Sequence, residues 1–378
     1  MVKNKYLQIL VAVLAIGFLP SCSVNEATSS GKLSTREHEQ HSPKDVTDHI
    51  LYIQSLDEYV VKKGDIDQIY AAIENFYHSL EASNLSDKEH VRIRYWRARA
   101  YSQLNELRRQ NGGNVNISEV EKAIQDYDYV IASIEVSSYP SVHYFAGVSA
   151  LNDLGDESAA GKYWLKCASY EHMGCMNIIA GAYFTGLYEL EVNYSKSRDL
   201  HTKVFDSGTE GHCAGIFSGL FLARMSTFLP QLEYRLEPDE WLRESFEMQD
   251  HLAARFDASN VCALEVLNIE AFLIHLAKGN HRDDLLKNVA SKAIGSPSTA
   301  IANYFLGKSN RAAVDDVLRN QHEYVKCQSW VQLIVYLKLS GTTQPIESYK
   351  NAIANSGHTY CATALEWSKV LDGYQLKQ

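Results

Sequence analysis

The chain has 378 residues, of which 46% are hydrophobic and 22% charged, and a formal net charge of −10. That length suits two or three ordinary domains or one elongated repeat array. So acidic a balance argues against general nucleic-acid binding and against attraction to anionic lipid headgroups, both of which need a basic surface.

The N-terminus reads as a targeting segment. Lys3 and Lys5 precede a stretch from Tyr6 to Leu19 that is apolar apart from Gln8. A spanning helix needs about 20 apolar residues, so this shorter run fits the core of a signal peptide. Leu19-Pro20-Ser21-Cys22 follows directly and resembles a bacterial lipobox. The resemblance implies cleavage after Ser21, acylation of Cys22 (palmitate among the chains) and anchoring to a bilayer. Ser23 and Val24 follow with no Asp beside the lipidated cysteine, a pattern that resembles outer-membrane sorting on the periplasmic side. Loss of Lys3 and Lys5 with the leader takes the mature chain to −12. Six cysteines remain: Cys167, Cys175, Cys213, Cys262, Cys327 and Cys361. An even remainder in an exported protein suits disulfides, and the pairing stays open at this point.

Residues from Ser23 to Pro43 are polar, lack apolar periodicity and read as a flexible tether with a reach of roughly 25 Å. From Asp45 the pattern turns helical. Asp65 is placed to cap a helix with Ile69, Ala72, Ile73, Phe76 and Leu80 on one face. Ser86-Asp87-Lys88-Glu89 matches a capping box and opens a helix reaching Arg109, stopped by Gly112-Gly113. Asn116 is expected to cap the next helix, with Ile117, Val120, Ile124, Tyr127, Ile131 and Ile134 as its apolar stripe. No proline interrupts an apolar helical run, and no alternating strand pattern with a hairpin turn is found. The expected fold class is all-α.

Two segments align at an offset of 37 residues: DESAAGKYWLKCASYE from Asp156, and NYSKSRDLHTKVFDSG from Asn193. Each precedes a second apolar run, CMNIIAGAYFTG from Cys175 and CAGIFSGLFLA from Cys213. Paired helices at a period in the thirties mark a solenoid. In the first copy Ala160, Tyr163, Trp164, Lys166, Ala168, Ala180, Tyr183 and Gly186 resemble the Sel-like subclass of tetratricopeptide repeats, as do Lys196, Lys203 and Gly208 in the second. The resemblance is clearest from Ser141 to Met225. It implies an α-solenoid of tetratricopeptide/Sel-like hairpins, degenerating toward the C-terminus. It also implies a Cys167–Cys175 staple within one repeat, although Cys167 stands one place before the family's first cysteine. Cys262, Cys327 and Cys361 each open a further apolar run, and Cys327–Cys361 is the pair we expect among them. The organisation is then a signal peptide over 1–21, a lipidated tether over 22–43, N-terminal helical repeats over 44–140, Sel-like repeats over 141–228 and degenerate helical repeats over 229–378.

Chemistry is harder to find. There is no G-x-x-x-x-G-K-[ST], no H-E-x-x-H and no G-x-S-x-G. Gly215-Ile216-Phe217-Ser218-Gly219 lacks nucleophile-elbow spacing, and its glycines are better suited to close helix packing. His38, His41 and His49 lie near Glu37 and Glu39, but a tether does not preorganise metal ligands. No enzyme, metal or cofactor is expected. Arg92, Arg94, Arg97, Arg99, Arg108 and Arg109 concentrate on one helix, where Arg92 and Arg97 are candidates for meeting an acidic partner. Tyr163, Trp164, Tyr183 and Tyr188 are aromatic candidates for partner contact, rigid and amphipathic as hot-spot residues are. The expected work is holding another envelope protein, as an accessory scaffold in a secretion, pilus or polysaccharide-export system. A regulator of an envelope enzyme such as a cell-wall synthase is the alternative, and an enzyme acting on cell-wall fragments is a third class.

Overall fold

The computed structural model describes residues 46–58, 66–81, 85–110, 113–133, 141–208, 213–256, 264–291, 295–321, 323–342, 345–356 and 361–374. The signal peptide, Cys22, the tether histidines His38 and His41, Asp65, Ile134 and Cys262 lie outside them. Among the described residues there are seventeen helices and no strand. No helix among them is long and apolar enough to cross a membrane. The described residues fall into two compact units, one ending at His172 and one beginning at Met173.

The N-terminal unit holds α1 (Val46–Glu58), α2 (Ile66–Leu80), α3 (Asp87–Gln110), α4 (Ile117–Ala132), α5 (Val142–Leu154) and α6 (Glu157–Ala168). Its consecutive helices pack on one another, and α3 also touches α1 and α5. The reason for α2 is the spacing of Ile69, Ala72, Ile73 and Phe76, which bury as a single stripe. The capping box at α3 forms as its residues dictate. The Ser86 backbone N–H donates to Glu89 Oε2 at 2.9 Å, and the Glu89 N–H donates to Ser86 Oγ at 3.3 Å.

Helix α4 departs from its apolar pattern. Asn116 stands at its N-cap without a side-chain cap bond, and Ile117 is exposed. The buried set is Val120, Ala123, Asp126, Tyr127 and Val130. A carboxylate has taken a core position because arginines of α3 reach it there, and that rotates the helix away from its purely apolar stripe.

The C-terminal unit runs through α7 (Met173–Thr185), α8 (Tyr194–Ser207), α9 (Cys213–Phe228), α10 (Pro238–Phe256), α11 (Leu264–Ala277), α12 (Asp283–Ala290), α13 (Pro297–Phe305), α14 (Arg311–Arg319), α15 (Glu323–Leu339), α16 (Ile346–Asn355) and α17 (Ala362–Gly373). Neighbour packs on neighbour from α7 to α10. The capping residues Asp156 and Asn193 repeat the 37-residue offset. Asp156 accepts from the Ala159 N–H and Asn193 from the Lys196 N–H, each at 2.9 Å. Glycines of the G-I-F-S-G segment sit at close approaches. A Cβ on Gly215 would meet the Gly208 backbone at 3.0 Å, and one on Gly219 would meet Ser245 Oγ at 2.2 Å and Phe205 at 2.4 Å.

This unit also closes on itself. Helix α17 packs against α15 and α16 and returns to α7, the first helix of the unit. That contact is more than the neighbour-to-neighbour stacking of a simple repeat array. Trp367 makes the closure, 1% exposed, with ring centroids 4.7 Å from Phe184 and 5.4 Å from Phe221. A Cys327–Cys361 disulfide fastens the N-terminal end of α17, with a Cα–Cα distance of 5.4 Å inside the bridging range. At the other end Lys338 donates to the Leu371 carbonyl, and Lys350 meets Asp372 at 2.6 Å. Cations at the carbonyl end of a helix satisfy its orphan acceptors and its dipole.

Candidate interaction surface

Helix α3 touches α1, α2, α4 and α5, so its arginines fall largely within reach of other helices. Arg97 is 8% exposed. Its Nε donates to Asp126 Oδ2 at 2.7 Å and its Nη2 to Oδ1 at 2.9 Å, a bidentate pair. Burial works against the Arg97 charge, and Asp126 more than offsets it, so the guanidinium is held above its usual range. Arg94 Nη1 shares Oδ1 of the same carboxylate at 2.9 Å. Arg108 binds Glu119 and donates to the Tyr70 hydroxyl, Arg109 binds Asp153 and Glu106, and Arg99 lies 3.3 Å over the Phe145 ring.

The expectation that Arg97 meets a partner is therefore corrected: its charge is consumed in the interior. Arg92 stays exposed. Trp164 is corrected likewise. It is fully buried, with its indole N–H donating to the Tyr144 carbonyl at 3.1 Å, and a Cβ on Gly147 would fall 2.4 Å from that nitrogen. Tyr163 is half-buried and donates to Asp128 at 2.6 Å. Tyr183 is half-buried with Lys196 4.9 Å from its ring, and Tyr188 is buried at a positive φ of 56°. Cys167, Cys175, Cys213, Cys327 and Cys361, the cysteines of the described residues, are all disulfide-bonded. His49, read from sequence alongside the tether histidines, is instead 3% exposed and packs on Phe76.

What the sequence reading missed is a stripe across three helices. Tyr70 and Tyr77 lie seven residues apart on α2. Arg94, Arg97, Tyr101 and Arg108 share one face of α3. Glu119, Lys122, Asp126 and Tyr129 recur at three- and four-residue steps on α4. The three sets meet. Arg97 lies 4.1 Å over Tyr77 and Arg94 4.3 Å over Tyr129, Lys122 stands 5.9 Å from the Tyr77 ring, and Tyr101 donates to the Tyr77 hydroxyl at 3.0 Å. Tyr70, Lys122 and Tyr129 are exposed. Its arginines are matched by carboxylates, Arg94 and Arg97 by Asp126 and Arg108 by Glu119, and Asp67, Glu74 and Glu81 share the tyrosine face of α2. The signal was in the spacing of the α4 polar residues, which an apolar-only search passes over.

In the C-terminal unit a second polar cluster is buried. His201 Nδ1 lies 3.1 Å from Ser218 Oγ, and Ser218 donates to Asn177 Oδ1 at 3.1 Å. The hydroxyl proton thus points to Asn177 and not to the imidazole, the reverse of what an activated serine nucleophile needs. Ser218 is also fully buried, and burial pushes His201 down to about 3, which keeps it neutral. At the 37-residue offset Ser197 and His201 stand where the first copy has Ala160 and Trp164. His201 Nε2 and Ser197 Oγ make no hydrogen bond among the described residues, so the polar replacements weaken this repeat's interior.

No protein-family model matches the chain, and no curated protein matches it.

Proposed function

We propose that this protein is a lipid-anchored helical-repeat scaffold that holds another protein in the bacterial envelope. In this reading Cys22 carries the acyl anchor, the tether over 22–43 gives reach, and the helices from residue 44 onward are Sel-like and tetratricopeptide-type hairpins facing the periplasm from the outer membrane. The partner belongs to an assembly, secretion, pilus or polysaccharide-export system.

The observation that carries the reading is the oxidised state of the described cysteines, four of which have 3% exposure or less. Buried disulfides suit an oxidising compartment, where a lipobox would deliver the chain. Partner holding draws its support from the surface of the N-terminal unit. There the arginines are fixed by carboxylates and rings, and aromatic side chains are left on the surface beside cations. The test is formaldehyde crosslinking of living cells, purification of the full-length protein from membranes, and identification of what travels with it. A recurrent envelope protein in stable proportion is the expected result. Recovery of the protein alone, or with cytosolic proteins, would overturn the reading.

A further inference from the structure

We propose that the Cys327–Cys361 bond is an oxidation checkpoint on the closure of the C-terminal unit: a donor disulfide installs it while α17 is off its seat, and the seated helix then seals it. The inference stands whatever the scaffold holds. Burial is the first observation. Cys327 is 0% exposed and Cys361 3%. Cys327 lies in α15 beneath the end of α16, where Ser356 Oγ is 4.0 Å from its sulfur. Cys361 stands at the N-cap of α17, and Ala364, Trp367, Val370 and Leu371 bury the helix that follows it.

Topology supplies the order. Helix α7 packs on α9, α9 on α11, α11 on α15, α15 on α17, and α17 on α7, so five helices close a ring. Helix α17 is the last of the five in chain order. Its docking both completes the ring and covers the sulfurs. Before docking, a loop of sequence separation 34 joins the two cysteines, short enough to bring their thiols together at modest entropic cost.

The chemistry makes the order necessary. One cysteine thiolate attacks the donor's disulfide, forming a mixed disulfide and releasing one donor thiolate. The other cysteine's thiolate then attacks the chain's own sulfur in that mixed disulfide. The Cys327–Cys361 bond forms and the donor's second thiolate leaves. The chain gives up two protons and two electrons, and the donor is reduced to two thiols. The intermediate carries the donor on one sulfur. Beside a fully buried sulfur there is no room for it, so exchange requires the helix to be undocked.

The experiment uses the full-length protein in neutral detergent, reduced in urea and then either kept unfolded or refolded without oxidant. Each form receives oxidised glutathione or oxidised protein disulfide isomerase, and the Cys327–Cys361 peptide is quantified by mass spectrometry. The unfolded chain should be oxidised at least about tenfold faster than a refolded chain whose α17 amides are protected from exchange. The donor that acts faster on the unfolded chain at equal disulfide concentration distinguishes a small-molecule from a protein source. A reduced chain that never protects α17 supports the same order, since the bond then precedes the seat. Trp367→Ala, which removes the anchor of α17, should bring the refolded rate toward the unfolded one. Trp164→Ala, an equally buried tryptophan of the N-terminal unit, should leave the refolded chain slow. Oxidation of the protected chain as fast as the unfolded one, or no acceleration by Trp367→Ala, would overturn the proposal.

Discussion

The two units lock helical hairpins in different ways. Up to His172, helices are cross-linked by charge: Arg97 and Arg94 tie α3 to Asp126 of α4, Arg108 ties it to Glu119, and Arg109 ties it to Asp153 of α5. From Met173 on, the lock is apolar and covalent: Trp367 of α17 sits among Phe184, Phe221 and Phe228, and a disulfide fastens that helix. The C-terminal unit does hold one buried pair, Arg224 with Glu270 at 3.1 Å, steadied by Gln332 donating to Glu270 at 2.9 Å. The difference teaches that similar local grammar leaves the long-range fastening free. A buried ion pair costs desolvation and fixes specificity, whereas an aromatic closure gains stability directly.

The sharpest way to break this comparison is at the closure. Trp367→Ala should cost about 4 kcal/mol, the range of large-to-small changes at a fully buried aromatic. The loss should appear as faster amide exchange in α7, α9 and α17, with α2 to α4 unchanged. Loss of protection in both units alike would contradict separate locks.

Asp126→Ala should cost about 3–4 kcal/mol, because it strands a buried Arg97. The double change Arg97→Met with Asp126→Leu should recover most of that loss in urea unfolding, since an apolar pair avoids desolvation altogether. If the double variant is as unstable as the single, the pair is more than an exchangeable lock.

Cys327→Ser with Cys361→Ser should cost about 3–4 kcal/mol, from the unfolded-state entropy released on opening a loop of sequence separation 34. Thermal melting would read it. Reductant should reproduce the loss in the parent protein once the chain is unfolded enough to expose the buried bond.

The smallest expected effect is on pH. His201 has a folded value of about 3, below the ordinary 6.5. The unfolded chain therefore binds more protons below pH 6.5, and stability present above that pH is lost as pH falls. Between pH 7 and pH 5 the loss from this one side chain is about 2 kcal/mol. His201→Phe should remove that slope. Asp153 acts with the opposite sign. Burial raises it to about 6 against the pull of Arg109. The folded state then holds the extra proton, so acidification over the same interval stabilises by about 1 kcal/mol.

Local structure was legible because its causes are local. The Ser86 capping box and the apolar face of α2 each rest on residues within one or two turns. The stripe of α4 was only half legible. Apolar periodicity picked out Val120 and Tyr127 but also Ile117, which lies outside, and it passed over Asp126, which lies inside because of arginines about thirty residues earlier. The return of α17 had no local signature. Tyr194 and Glu366 meet at 2.5 Å across 172 positions, and no spacing rule links residues so far apart. Among the candidate contact residues, Trp164 and Arg97 shared one failing. A large aromatic or an arginine on a repeat helix serves the interior as readily as a partner, and only three-dimensional neighbours decide between them.

The most direct test of the account is intact mass spectrometry of the protein taken from membranes under non-reducing conditions after thiol alkylation. The account predicts a chain beginning at an acylated Cys22, with none of its other six cysteines alkylated. A chain that still begins at Met1, or one carrying alkylated thiols at Cys327 and Cys361, would contradict it.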